Sequence, residues 1–223
     1  MTTTALLERI RAELRATADP SRAPGQQAYM KSDMPYLGVR VPDARRITRA
    51  AARGVENPDH LRAAAREMWD AATHREERYA AEALLTMPPV RGDLASVPLI
   101  EHMVRSGRWW DFTDELTGRI AEMHDRHPTE TAALVRAWSI DDDLWVRRLA
   151  ILSQLGRRER LDRDLLADVI APSIPSDEFF LRKAIGWALR DYARFAPDWV
   201  AQFAAEHPLS ALSRREALKH ISR

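Results

Sequence analysis

Apolar residues recur three and four positions apart along most of the chain, the spacing of one helix face. Over residues 144–155 they fall at Leu144, Val146, Leu149, Ile151, Leu152 and Leu155, and Gly156 follows where a helix-ending glycine belongs. Clusters of Pro, Gly and Asx residues interrupt these runs at 19–25, 57–59, 87–93, 127–128, 140–143, 171–177, 196–198 and 207–210. Ser176-Asp177 ahead of Glu178 is a helix-start signal, and Ser213-Arg-Arg-Glu216 has capping-box spacing. Only residues 35–42 read at all like a strand, and prolines bound that short segment. The pattern predicts an all-α chain.

The helical segments also repeat. Trp110 in Arg108-Trp-Trp-Asp-Phe-Thr-Asp114 precedes Trp145 by 35 residues (145 − 110), and Trp145 precedes Phe180 by another 35 (180 − 145). One further step reaches Arg215 in the last helical segment. A period of this size, with a helix pair per unit, predicts a right-handed α-solenoid of HEAT-like (armadillo-type) repeats whose inner helices line a concave surface. Residues 1–223 are expected to form one such domain, with 1–25 supplying an N-terminal helix and linker. The recurring aromatics suit either inter-repeat core or groove lining; Trp-Trp and the neighbouring basic pairs are too polar for a pure core stripe.

Charge adds a local signal. The chain has 223 residues and a formal net charge of +1, yet its 34 basic residues comprise three lysines (Lys31, Lys183, Lys219) and therefore 31 arginines (34 − 3). They cluster at 31–53, 147–163, 182–194 and 214–223, and repeats set side by side would merge these into a basic strip. Arginine's planar fork suits phosphate oxygens. Ordinary solvated helix surface explains such clusters equally well from charge alone. There is no cysteine, which excludes disulfides, thiolate zinc sites and a cysteine nucleophile. His124 and His127 lack a third ligand, and the eight glycines form no phosphate loop, so no metal or cofactor is expected. No stretch approaches the roughly 20 apolar residues of a membrane span, and the start lacks a signal-peptide core; the chain reads as cytoplasmic, in a bacterial cytosol or nucleoid.

Trp110 and Asp114 are four apart, so a helix sets them on one face. Arg148 lies in the next repeat and Trp187 in the one after. A carboxylate among aromatic faces with an arginine nearby suits a substrate that is cationic or becomes so. Taken singly, Asp114 reads as a surface carboxylate, Trp187 beside Gly186 as core and Arg148 as an inter-repeat ion-pair partner. Trp109 and Trp145 are assigned to the core.

Four segments, Trp109-Trp-Asp-Phe-Thr-Asp114, Leu144-Trp-Val-Arg-Arg-Leu-Ala-Ile-Leu152, Glu178-Phe-Phe-Leu-Arg-Lys-Ala-Ile-Gly-Trp-Ala-Leu-Arg190 and Leu212-Ser-Arg-Arg-Glu-Ala-Leu-Lys-His-Ile221, resemble the AlkD family of DNA alkylation repair glycosylases. Tyr29-Met-Lys31 and Tyr36-Leu-Gly-Val-Arg-Val-Pro42 resemble its N-terminal signature, so the likeness runs from about Ala28 to Ile221. It implies a helical solenoid holding duplex DNA in a basic concave cleft and hydrolysing the N-glycosidic bond of purines alkylated at N7 or N3, without a metal. It matches the family's paired tryptophans to Trp110 and Trp187, its catalytic aspartate to Asp114, its phosphate-binding arginine to Arg148 and a cleft tyrosine to Tyr29. Arg40, Lys183, Arg190, Arg215 and Lys219 become candidate DNA contacts. Arg-Arg-Glu-Arg160 stands where family members are lysine-rich, the connection from Asp114 to Arg148 is about one residue shorter, and the chain ends sooner after Ile221.

The chemistry fits this implication. Alkylation at N7 or N3 makes the purine cationic and a good leaving group, so a site needs chiefly to stabilise an oxocarbenium-like sugar, the task glycosidases give to carboxylates. The expectation is a monomeric, monofunctional alkylpurine glycosylase acting on duplex DNA such as that carrying 7-methylguanine or 3-methyladenine. The alternatives are a non-catalytic helical-repeat protein that binds damaged or structured DNA, and a protein-binding scaffold.

Overall fold

A computed structural model describes residues 2–221 and is all-helical, with no strand among the described residues. Residues 35–40 form an irregular segment that joins no strand among the described residues, and Val41 and Pro42 open the helix that follows. The chain divides between Leu99 and Ile100 into two compact units.

The first unit contains α1 (Thr3–Ala16), α2 (Ala23–Met30), α3 (Val41–Ala51), α4 (Pro58–Asp70) and α5 (Arg75–Leu84). Its core is built where α1 packs on α3, α4 and α5, and α5 packs on α3 and α4. Leu6, Leu7, Ile10 and Leu14, at helical spacing on α1, are all buried, and each contributes roughly 1.5–3 kcal/mol. The expected break at 19–25 ends earlier than the sequence suggests: α2 starts at Ala23, so Pro24 occupies a first-turn position and Gly25 is helical.

A buried polar network pins the segment joining α2 to α3. The Glu76 carboxylate, fully buried, accepts the backbone N–H groups of Leu37, Gly38 and Val39 at 2.9–3.1 Å. Arg75 donates to Ser32 Oγ and to Tyr79 Oη, and the Tyr36 and Tyr79 hydroxyls lie 3.0 Å apart. Gly38 is required here: its φ is +86°, and a Cβ would stand 2.0 Å from the Asp19 carbonyl oxygen.

The unit division falls within α6 (Val97–Gly107). The second unit continues with α7 (Trp110–Arg126), α8 (Pro128–Ser139), α9 (Leu144–Leu152), α10 (Arg163–Ile170), α11 (Phe179–Tyr192), α12 (Pro197–Glu206) and α13 (Ala211–Ala217). α7 packs on α9, α9 on α11 and α11 on α13, while α8 packs on α7, α9 and α10. Alternate helices thus neighbour one another, the relation a repeat of about 35 residues implies. α11 and α13 approach closely because Gly186 lacks a side chain: a Cβ there would lie 2.5 Å from Glu216 Cβ and 3.0 Å from the Ser213 carbonyl oxygen. Around it Leu181, Ile185 and Leu189 pack with Phe203 and Ala217.

Two local expectations are revised. α13 is capped by Ser210, whose Oγ accepts from Ser213 N–H; Ser213 lies inside the helix, buried, and donates its hydroxyl to the Arg182 carbonyl. α9 stops at Leu152, and Gly156, at φ +75°, closes the turn beyond it instead of capping the helix. No helix among the described residues is long and apolar enough to cross a membrane.

Candidate active site

α6 ends at Gly107, and the chain turns through Arg108, at φ +44°, and extended Trp109 before α7 begins at Trp110. The Trp109 carbonyl accepts both the N–H and the hydroxyl of Thr113 at 3.2 Å, closing the first turn. Asp111 sits in that turn, where the partial positive charge of a helix N-terminus favours an acid. Asp114 follows one turn after Trp110, and both are half-buried. α9 is started by the Asp143 carboxylate, which accepts Trp145 N–H at 2.8 Å. Asp143 N–H in turn donates to Asp141, whose carboxylate receives Arg105 of α6 at 2.9 and 2.6 Å. This chain of caps fixes where Arg148, one turn further along α9, emerges.

Arg148 and Asp114 meet as a fork-on-fork pair. Nε donates to Oδ1 and Nη2 to Oδ2, each at 2.8 Å, while Nη1 donates to the Phe180 carbonyl of α11 at 2.6 Å. Only 4% of the Arg148 side chain and 13% of the Asp114 side chain are exposed. Burial pushes the Asp114 carboxyl above its ordinary range, Asp111 adds to the rise, and the Arg148 hydrogen bonds and charge oppose it. A carboxylate offers about four lone-pair sites and Arg148 engages two, so each oxygen keeps acceptor capacity.

An aromatic cluster stands beside this pair. Trp145 and Phe180 have ring centroids 4.9 Å apart, Trp109 lies 6.1 and 5.7 Å from them, and exposed Phe179 meets Phe180 edge-on at 5.3 Å. The Arg148 guanidinium carbon is 6.0 Å from the Phe180 ring centroid. The ring joining Trp145 and Phe180 is therefore Trp109, not the Trp110 from which the period is counted. Trp145 is buried as expected, whereas Trp109 is half-buried and its indole N–H has no hydrogen-bond partner among the described residues.

The other sequence candidates are distributed differently. Trp187, on α11, is half-buried against the core formed with α12 and α13. Lys183 and Arg190 converge on Glu216 of α13, Lys183 Nζ standing 2.9 Å from Oε1 and Arg190 pairing with Oε2. The Lys183 hydrogen bond leads the effects that hold the Glu216 carboxyl below its usual range. Arg215 and Lys219 are exposed. Tyr29 and Arg40 belong to the first unit: Tyr29 is 75% exposed on α2, and the Arg40 side chain is 68% exposed while pairing with Asp43 at 3.0 Å. Among the described residues no group of three or more His, Cys, Asp or Glu side chains is arranged to hold a metal ion.

The second unit thus presents a helical-repeat scaffold carrying a sequestered carboxylate–arginine pair against an aromatic wall. The chain belongs to the DNA alkylation repair enzyme family, whose model matches residues 10–221. A predicted DNA alkylation repair enzyme from Enterococcus faecalis has a similar structure, with a TM-score of 0.84 and 29% identity over 93% of this chain and 98% of that one. The alkylpurine DNA glycosylase AlkC of Pseudomonas fluorescens, bound to DNA containing an abasic site analogue, aligns at a TM-score of 0.47 and 20% identity, over 96% of this chain and 62% of its own. No curated protein sequence matches the chain. The family relationship read from the sequence is borne out, as is the all-helical fold.

Proposed function

We propose that this alkylation repair enzyme is a monofunctional glycosylase that hydrolyses the N-glycosidic bond of cationic N7- or N3-alkylated purines in duplex DNA. The observation that carries the reading is Asp114, a carboxylate withdrawn from water beside aromatic rings and held in one orientation by Arg148. A positively charged purine leaves readily, so the barrier lies in the electron-deficient sugar left behind. Asp114, through its free lone pairs, stabilises that sugar and orients the attacking water, whose oxygen bonds to the anomeric carbon as the C–N bond breaks and whose proton passes to the Asp114 carboxylate and on to solvent, yielding an abasic site and free neutral base. Trp110 and Trp187 hold the deoxyribose, each attracting a nearby cation by about 0.5–2 kcal/mol.

Arg148 acquires a different emphasis in this proposal from the one the family resemblance implies. With one hydrogen on each of its three nitrogens engaged inside the protein, its first role is to keep Asp114 ionised and aimed, and only the second N–H of Nη1 and of Nη2 is left for a phosphate. Tyr29, Arg40, Arg215 and Lys219 are the proposed outlying DNA contacts. The solenoid with a basic concave face, and a single protein molecule per duplex, belong to the same proposal.

Incubation with a duplex carrying 7-methylguanine is expected to release free base, and duplexes with neutral O6-alkylguanine to be poor substrates. Asp114→Asn is expected to abolish release while a circular dichroism spectrum and duplex affinity stay close to wild type. Full release by that variant sinks the mechanism.

A further inference from the structure

The first unit carries a depression of about 630 Å³ at the C-terminal end of α3. Four arginines line it: Arg46 and Arg49 on α3, Arg53 just past its end, and Arg91 after α5. Glu56 is the single carboxylate in the lining, and Met87 and Pro88 belong to the apolar floor. The lining thus holds four guanidinium groups and one carboxylate.

The fold makes little use of two of these charges. Arg46 reaches Asp43 only at 3.7 Å, and Arg49 and Arg53 have no ion-pair or hydrogen-bond partner among the described residues. All four arginines are exposed. A cation at a helix C-terminus stabilises the helix dipole, yet by only about 0.3–1 kcal/mol, and one arginine suffices for that. Setting Arg49 and Arg53, unpaired among the described residues, beside two further arginines costs repulsion that an anion relieves. A small anion is held by donors that enclose and desolvate it, whereas exposed arginines at the rim of an open depression suit a polyanion lying across the surface. Residues 46 to 53 cover about 10 Å at helical rise, which spans about three phosphates of one B-DNA strand at 3.4 Å each along the axis.

We propose that the Arg46–Arg49–Arg53–Arg91 depression of the first unit is a further contact for the phosphodiester backbone of the duplex, made by residues other than Asp114 and the basic residues suggested by the family resemblance. Arg49 and Arg53 neutralise phosphates and release their counterions, while the apolar floor lies against the sugar edge. The inference rests on DNA being the partner proposed above.

The test compares wild type with the double variant Arg49→Ala/Arg53→Ala and with Arg49→Lys/Arg53→Lys. Fluorescence anisotropy with an undamaged 20-base-pair duplex is recorded from 50 to 200 mM salt, and circular dichroism checks folding. Loss of two phosphate contacts lowers the slope of log affinity against log salt by about 1.8, from about 0.9 for each phosphate. Binding at the low end of the salt range weakens several-fold, and the lysine variant keeps most of the slope. An unchanged slope and affinity in a folded alanine variant overturn the site and leave the proposed glycosylase function standing. Calorimetry with a free nucleoside triphosphate and with inorganic phosphate supplies the other arm. Binding of either that vanishes in the alanine variant, with the DNA slope unchanged, makes this a small-anion site and overturns the proposal. A wild-type protein with no duplex affinity overturns the site and the proposed function together, and base release from the 7-methylguanine duplex by wild type tests that function on its own.

Discussion

Replacing Arg148 by alanine tests the central feature of the site. The two charges are sequestered, with side-chain exposures of 4% and 13%, and lie in bidentate contact at 2.8 Å. At a charge separation of about 4 Å and an effective dielectric constant of 20, their attraction is about 4 kcal/mol. Removing the guanidinium leaves Asp114 ionised and desolvated, and leaves the Phe180 carbonyl without that donor. Breaking one side of such a pair costs about 3–5 kcal/mol. For a chain of this size each kcal/mol moves the thermal midpoint by about 2–4 °C, so Arg148→Ala is expected to melt about 6–20 °C below wild type. Replacing both charges, as in Asp114→Leu/Arg148→Met, removes the desolvation together with the attraction and restores most of the lost stability. Unfolding of the wild type, Asp114→Leu, Arg148→Met and the double variant, followed by circular dichroism in urea, gives the coupling directly. A loss below about 1 kcal/mol for Arg148→Ala, as for an exposed ion pair, refutes the claim that the pair is buried and mutually dependent. Strictly additive single losses refute it as well. The same variants have a kinetic signature. Arg148 opposes the rise that burial imposes on the Asp114 carboxyl, so without it Asp114 protonates at higher pH. Release that needs the carboxylate fails as pH falls through that carboxyl's pKa, so the acid limb of kcat/KM moves upward in Arg148→Ala and less in Arg148→Lys. An acid limb that stays in place refutes control of Asp114 by Arg148.

Two further outcomes follow from buried titratable groups. Glu76→Gln removes the charge that strengthens three buried hydrogen bonds and sets an N–H₂ group against the Leu37 N–H, which keeps only its 3.1 Å bond to the other oxygen; unfolding measurements are expected to show a loss of about 1.5–3 kcal/mol, and faster amide exchange at Leu37, Gly38 and Val39 locates it. His124, buried near Arg157 with Nε2 3.4 Å from Ser153 Oγ, is pushed down to about 4 from 6.5, chiefly by burial. Because the folded state resists its protonation, its contribution is complete above pH 6.5 and is lost as pH falls towards 4, in total about 3 kcal/mol. Urea unfolding of His124→Gln between pH 7.5 and 4 is expected to lack that share of the decline seen in wild type.

The helices were legible because their apolar faces bury against neighbours, and that constraint writes a period of 3.6 directly into the residue order. The repeat was legible for the same reason: α7, α9 and α11 begin at 110, 144 and 179, so Asp114 and Arg148, 34 apart, fall at facing positions of adjacent helices. What period counting misplaced was the aromatic register. Trp145 and Phe180 are the second residues of α9 and α11, 35 apart, whereas the ring that packs on them precedes α7 and lies 36 before Trp145 (145 − 109), so a count of 35 back from Trp145 lands on Trp110. The ring that packs is its neighbour Trp109, held in the turn before the helix. Tryptophan at two consecutive positions gave the sequence no means of separating them.

Charge was legible as composition but not as pairing, and the distinction alters what the basic residues are available to do. Arg148 is the most deeply committed, with Asp114 and the Phe180 carbonyl sharing its donors. Lys183 and Arg190 are joined to Glu216 only because Gly186 lets α13 approach α11, a contact made by packing that no local pattern announces. Arg49 and Arg53 stand at the other extreme, exposed and unpaired among the described residues. The first three keep N–H groups to offer a phosphate, but a carboxylate already neutralises each of them, whereas the last two need only shed water and counterions. The order in which these residues engage an anion is therefore set by their present partners: the unpaired arginines of the first unit are the low-cost contacts, and Arg148 engages last, if the gain exceeds what it gives up at Asp114.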